Sequence, residues 1–135
     1  MNIQILYNNC YGGFFPSEQA IKLYNVRRTA IDPGCKAILY GNEFQRHDPI
    51  LVQIFIELGD DFDVSFSKTA IYTCSKEYER YYEIRDYDGM ERVSIDINRY
   101  RLDKVQSILG NDNTTNDDKI CDLKQVFSGD KKERQ

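Results

Sequence analysis

The order of strand-like and helix-like patterns predicts an α+β fold with a mixed or antiparallel sheet of about five strands, a buried helix and a C-terminal helical hairpin. Apolar alternation recurs in both halves of the chain, the segment 49–58 is apolar on nearly every side, and a hairpin turn signal lies in the second half. The 135 residues suffice for one domain. We expect an α+β core over 1–97, a helical extension packed on it over 98–128, and a disordered tail over 129–135.

The first elements are a strand, a glycine turn and a capped helix. Residues 2–7 carry apolar side chains on both faces, which is typical of a central strand. Gly12 and Gly13 then permit a sharp turn, because glycine reaches positive φ without steric cost. Ser17 is a favourable N-cap, and the apolar period after it predicts a helix over about 17–29.

The middle of the chain predicts a short strand and then the most apolar helix. The strand is KAILY, 36–40, which follows a turn signal at 32–34. Asp48 is the predicted N-cap of the helix 49–58, with proline in the first helical position and glycine after the last. Because only a narrow polar stripe interrupts this helix, we expect it between the sheet and another layer, or between two subunits.

The second half of the chain predicts strands and then helices. Residues 64–74 alternate as a half-buried strand does, and residues 88–89, Asp-Gly, predict a hairpin turn between strands at 81–86 and 91–97. The helical period then returns on both sides of a polar loop at 110–118. The apolar positions with this period are Leu102, Val105, Ile108 and Leu109 before the loop, and Ile120, Leu123 and Phe127 after it.

Composition excludes several classes of function. The net charge of −4 argues against broad nucleic-acid binding, and no apolar run reaches the roughly 20 residues of a membrane span. The start of the chain lacks the basic and apolar segments of a secretory signal, so we expect an intracellular protein that is not secreted. The glycosylation sequon at 113–115 would matter only in a secreted protein. Four scattered cysteines and one histidine predict free thiols, with no metal site and no cofactor.

The glycine turn is the first candidate site. A strand, two glycines and a capped helix resemble half of a phosphate cradle, in which backbone N–H groups face an anion. The candidate ligand-binding residues are Gly12, Gly13, Ser17 and Arg46. Neither GxGxxG nor GxxxxGK[ST] is present, and Pro16 donates no N–H. The alternative is a tight turn whose Phe14 and Phe15 fill the core.

The weak candidates for catalysis are Cys10, His47 and Asp88. A thiol near a helix start and beside a histidine can be a nucleophile, and His47 is the only histidine in the chain. The alternative is a surface histidine beside the helix cap. Asp88, with Asp86 and Glu91, could hold a cation or serve as acid and base, and its alternative is a solvated turn.

The segment 76–92 interleaves tyrosines with arginines, as some readers of single-stranded nucleic acid do. Its four basic residues are outnumbered by six acidic ones. This balance favours a hairpin with opposite charges facing across the strands.

Three segments together resemble a known family. CYGGFFPSEQAIKLY, RHDPILVQIFIELGDDF and YEIRDYDGMERV are similar, in this order, to an uncharacterised family of small proteins from bacteriophages and large (giant) DNA viruses. The resemblance covers about residues 2–95. It implies a viral origin and a place in the host cytoplasm or the virion, and it implies no particular activity.

The leading functional hypothesis is a viral accessory protein that binds itself, a host factor or a small ligand, without catalysis. It depends on the apolar helix 49–58 and on the lack of a complete catalytic set. One alternative is a small hydrolase or transferase that acts on a phosphorylated or nucleotide-like substrate at Gly12-Gly13. The other is single-stranded nucleic-acid binding by the tyrosine and arginine hairpin.

Overall fold

A computed structural model describes residues 1–111 and 115–128. The chain divides into two compact units, Met1–Ser94 and a second that begins at Ile95. The α+β class is confirmed, but the single sheet of five strands is wrong. The described residues instead form four α-helices and two separate two-stranded antiparallel sheets. None of these helices is long and apolar enough to cross a membrane.

Strand β1 (Asn2–Asn8) pairs antiparallel with β2 (Thr69–Ser75), with Ile5 opposite Tyr72. The consecutive side chains of Ile5 and Leu6 are both fully buried, so β1 is covered on both faces as predicted. The prediction of a central strand is wrong, because β1 belongs to a sheet of two strands.

The predicted strand 64–74 is correct only in its second half. Asp63 accepts hydrogen bonds from the Ser67 hydroxyl and from the backbone N–H of Thr69, at 3.1 and 2.9 Å. These bonds hold residues 64–68 in a turn before β2 begins, which apolar alternation alone did not indicate.

Two capped helices form the core with β1. Helix α1 (Glu18–Ile31) begins at the Ser17 cap, and α2 (Pro49–Leu58) begins at Asp48, whose carboxylate accepts from the N–H of Ile50. Both predicted helices are confirmed. Helix α2 packs against α1, β1 and the short turn after it, and Ile56 is its most exposed apolar residue. The core consists of Leu6, Phe14, Ala20, Tyr24, Phe44, Leu51, Val52, Ile54 and Phe62.

The predicted strand at 36–40 is wrong. The side chain of Asn25, on α1, pairs with both backbone groups of Ile38, at 2.9 and 2.8 Å. The carboxylate of Glu43 accepts from the N–H groups of Leu39 and Tyr40. Side chains thus form the hydrogen bonds with backbone N–H and C=O groups that a neighbouring strand would otherwise form. The segment is therefore a loop and not a strand.

The second sheet is the predicted hairpin. Strands β3 (Tyr82–Tyr87) and β4 (Met90–Ile95) are joined by Asp88 and Gly89, with φ of 52° and 89°. Positive φ at both central residues is typical of the tight turn that Asp-Gly favours. Strand β4 ends two residues earlier than predicted because Asp96 caps the next helix.

The second unit is a pair of helices, α3 (Ile97–Leu109) and α4 (Asn116–Ser128), which contact each other. Helix α3 ends before Gly110, as predicted. The sequon at 113–115 lies largely outside the described residues, and the tail predicted at 129–135 lies wholly outside them.

Candidate functional site

The glycine turn is a closed junction of three backbone segments, which we call the glycine junction. A Cβ atom on Gly12 would lie 1.5 Å from the carbonyl oxygen of Phe66, and one on Gly89 would lie 2.2 Å from that of Tyr11. Gly13 has φ of 95°. Glycine is therefore required here because the backbones of neighbouring segments lie in contact, and the Phe66 carbonyl occupies the space where a side chain at position 12 would lie.

The side chain of Asn8 links the segments of the glycine junction by hydrogen bonds. Its fully buried side chain donates to the carbonyls of Cys10 and Gly89, at 2.6 and 2.8 Å, and accepts from the N–H of Lys68 at 2.8 Å. The Cys10 thiol donates to the same amide oxygen, at 3.3 Å. The amide thus uses both hydrogens and its oxygen within the protein. The sequence analysis missed this residue, whose only signal was an asparagine before the turn.

Arg46 and Glu91 form the buried ion pair next to Asn8. Two guanidinium nitrogens of Arg46 donate to the two oxygens of Glu91, at 2.6 and 2.8 Å, and Glu91 also accepts from the N–H of Asn8. The side chains of Arg46 and Glu91 are 15% and 6% exposed, and the guanidinium stacks 3.8 Å from the ring centre of Phe14. Arg46 is therefore occupied by structural contacts, and Glu91 does not belong to a solvated turn.

The remaining candidates of the glycine turn have structural partners as well. The Ser17 hydroxyl accepts from the N–H of Ala20 and donates to the carbonyl of Asp61, away from the glycines. Of the two phenylalanines, Phe14 is buried as expected, whereas Phe15 is 48% exposed.

Cys10 and His47 contact opposite ends of the β3–β4 hairpin. Cys10 lies at the hairpin turn with Gly89, whereas the ring of His47 lies 2.6 Å from the hydroxyl of Tyr82, at the start of β3. The six residue-to-residue steps from Tyr82 to Asp88 span about 20 Å of extended strand. The structure therefore brings Asp88 near Cys10 but does not bring His47 to either.

His47 belongs to a second polar cluster. Its Nδ1 faces the hydroxyl of Tyr82, and its Nε2 lies 3.2 Å from a carboxylate oxygen of Glu79. Burial raises the pKa of the Tyr82 hydroxyl, so this group stays protonated near neutral pH. With Tyr82 at one ring nitrogen and Glu79 at the other, the His47 ring is held between two partners.

The ring of His47 lines a cleft of about 580 Å³ beside α1, which we call the α1 cleft. At its base the Tyr24 hydroxyl donates to Asp48 at 2.6 Å, and burial together with this hydrogen bond raises the pKa of Tyr24 to about 12. Its other charged residues are Arg28, Lys36, Glu43 and Glu79. This volume lies within the range of small-molecule pockets, about 300 to 1,000 Å³.

In the α1 cleft the acidic side chains have close partners, whereas two basic side chains lack a close carboxylate. Its acids are engaged within the protein: Asp48 caps α2, Glu79 holds His47, and backbone hydrogen bonds from Leu39 and Tyr40 lower the pKa of Glu43. In contrast, within residues 1–111 and 115–128 no carboxylate lies within 4.0 Å of the cation of Arg28 or Lys36. The cleft thus presents two cations without a close carboxylate, beside three carboxylates that are held by other partners.

Within residues 1–111 and 115–128, no group of three His, Cys, Asp or Glu side chains could hold a metal ion, and the four cysteines are free thiols. Comparison with protein-family models, curated proteins and solved structures finds no match, so the resemblance to phage and giant-virus proteins stays a prediction.

Proposed function

We propose that this protein binds a small anionic molecule in the α1 cleft and does not transform it. The observation that carries the proposal is that Arg28 and Lys36 line the cleft with no carboxylate within 4.0 Å among the described residues, whereas the acids of the cleft already have close partners. A phosphate or carboxylate group on the ligand would pair with the two cations. The fixed ring of His47 and the apolar side chain of Ile38 would contact the rest of the molecule.

Binding without catalysis is favoured because, among the described residues, no hydrogen bond joins the Cys35 thiol, which also lines the cleft, to a base. Both ring nitrogens of His47 have partners, and the thiol of Cys10 lies at the far end of the hairpin. The enzyme alternative placed a phosphorylated substrate at Gly12-Gly13, where backbone atoms of Phe66 occupy the space. With the resemblance to viral proteins, we propose that the ligand is a metabolite of the infected host cell.

A thermal-shift screen tests this proposal with inorganic phosphate, nucleotides, cyclic dinucleotides and sugar phosphates as probes. A ligand that binds only the native state raises the melting temperature by mass action. We expect Arg28→Gln/Lys36→Gln to weaken the dissociation constant of any hit at least about tenfold, because it removes two charge-assisted contacts.

The matched control is Lys68→Gln/Arg92→Gln, which removes the same charge from two exposed residues near the glycine junction. It should leave the affinity within about twofold of the wild type, since surface charges contribute little at a distance. No hit in the screen, or equal weakening by the two double variants, would contradict the proposal.

A further inference from the structure

The helical hairpin of the second unit exposes four large apolar residues, two in each helix. Helices α3 and α4 contact each other, yet none of the described side chains of either helix is fully buried. Each helix has only 13 residues, and isolated helices of about 12 to 15 residues are marginal in water. A pair of helices this small requires a further packing surface to remain folded.

The two helices repeat one apolar pattern. Four apolar residues occupy the same relative positions in each helix, with spacings of three, three and one. They are Leu102, Val105, Ile108 and Leu109 in α3, and Ile120, Leu123, Val126 and Phe127 in α4. The middle two of each set are half-buried, whereas the outer two are exposed.

The outer residues form an apolar face that we call the hairpin face. Its members are 52 to 57% exposed and are Leu102, Leu109, Ile120 and Phe127. The two members in each helix are seven residues apart, which is one heptad repeat and close to two helical turns. Both members therefore lie on the same side of their helix. Large apolar residues repeated in this way mark an interface more often than solvated surface.

Charge identifies the kind of partner that fits this face. Helix α3 has three basic residues and one acidic, whereas α4 has two basic and three acidic. If two copies place their hairpin faces together, α3 of one copy can lie beside α4 of the other, and each such contact joins a basic helix to an acidic one. A partner of one sign would be repelled by one of the two helices.

We propose that the hairpin face binds the hairpin face of a second copy, so that two hairpins form a four-helix bundle. This arrangement buries the four exposed side chains of each copy and adds a packing surface to the hairpin. It is an isologous interface, in which the same patch serves both copies. It is independent of ligand binding at the α1 cleft.

Sedimentation equilibrium of the full chain tests the inference. The wild type should reach twice its 15.9 kDa mass with rising concentration, and Leu102→Glu/Leu109→Glu should remain a monomer. The matched control is Val26→Glu/Ile31→Glu, which changes two residues of α1 that are 68 and 69% exposed, and it should dimerise as the wild type does. A wild type that is monomeric at every concentration would overturn the inference, as would unchanged dimerisation of the α3 variant.

A second measurement needs no substitution. Because the bundle stabilises both helices, the far-ultraviolet helical signal of the wild type should fall on dilution in step with the loss of dimer mass. Added salt should weaken the dimer, since opposite charges contribute to it. A helical signal that stays constant while the mass halves would show that the copies meet elsewhere.

Discussion

The glycine junction and the α1 cleft are both polar, but they differ in what their polar groups contact. In the junction, the polar side chains form hydrogen bonds with one another and with nearby backbone, as Asn8, Arg46 and Glu91 do. In the cleft, Arg28 and Lys36 have no carboxylate within 4.0 Å among the described residues. The most conspicuous motif of the sequence thus serves the fold, and the ligand site that we propose lies elsewhere.

The junction also explains why three sequence motifs occur together. CYGG supplies Gly12 and Gly13, the RHDP segment supplies Arg46, and YDGME supplies Gly89 and Glu91. All five meet around Asn8, although they are distant in the sequence. A combination of motifs can therefore reflect one packed junction as well as one active site.

The largest expected effect comes from Gly12→Ala. Its Cβ would overlap the backbone of Phe66, so the junction must open, and we expect a loss of roughly 4 kcal/mol or more in the free energy of unfolding. Urea denaturation measures this. The control is Gly34→Ala, whose Cβ would meet its nearest atom at an ordinary 3.7 Å, and which should change stability by less than about 1 kcal/mol. If both variants lost the same free energy of unfolding, the close backbone contact at Gly12 would not be important for stability.

The next effect comes from Arg46→Met, which leaves the carboxylate of Glu91 buried without its cation. We expect a loss of about 3–5 kcal/mol in the free energy of unfolding. Adding Glu91→Gln should recover much of it, because the neutral amide still accepts from the N–H of Asn8.

Arg27→Met is the control for this substitution. It breaks an ion pair with Glu57 whose side chains are 35 and 42% exposed, so it should cost less than about 1 kcal/mol. If Arg46→Met were equally mild, the buried pair would not hold the junction.

The smallest effect tests the base of the α1 cleft. Tyr24→Phe removes the hydrogen bond to Asp48 and should cost about 1.5 kcal/mol near neutral pH. The pKa of Tyr24 is raised from 10.0 to about 12, so its contribution is fully present below pH 10 and is lost as the pH rises towards 12. Urea unfolding of both proteins between pH 8 and pH 11 should give a difference that is constant at first and shrinks above pH 10. A difference that grows instead would place a charged tyrosine in the native state.

Local patterns predicted the helices well. Ser17 and Asp48 are caps as expected, and residues 88–89 form the expected turn, because these features depend on neighbours in the sequence. The strand at 36–40 was wrong because its partners are the side chains of Asn25 and Glu43, which no periodicity indicates.

The site was harder to predict than the fold. Arg46 and Glu91 are 45 residues apart, and only the folded chain reveals that they neutralise each other. The same holds for the partners of His47, because Tyr82 and Glu79 lie in the segment 76–92, which was interpreted only as a charge-paired hairpin. Residue type indicated which groups could do chemistry, and tertiary contacts decided which of them are already occupied.

Hydrogen exchange of backbone amides, measured by NMR, tests the central contrast most directly. The amide of Asn8 donates to Glu91 and that of Asn9 to the carbonyl of Lys68, inside the closed junction, whereas the amides of Leu39 and Tyr40 lie on an exposed loop near the α1 cleft. We expect the first pair to exchange only through global unfolding and the second pair through local opening, at least about a hundredfold faster. Equal protection of the two pairs would contradict the account, because the junction would then open as readily as the loop beside the cleft.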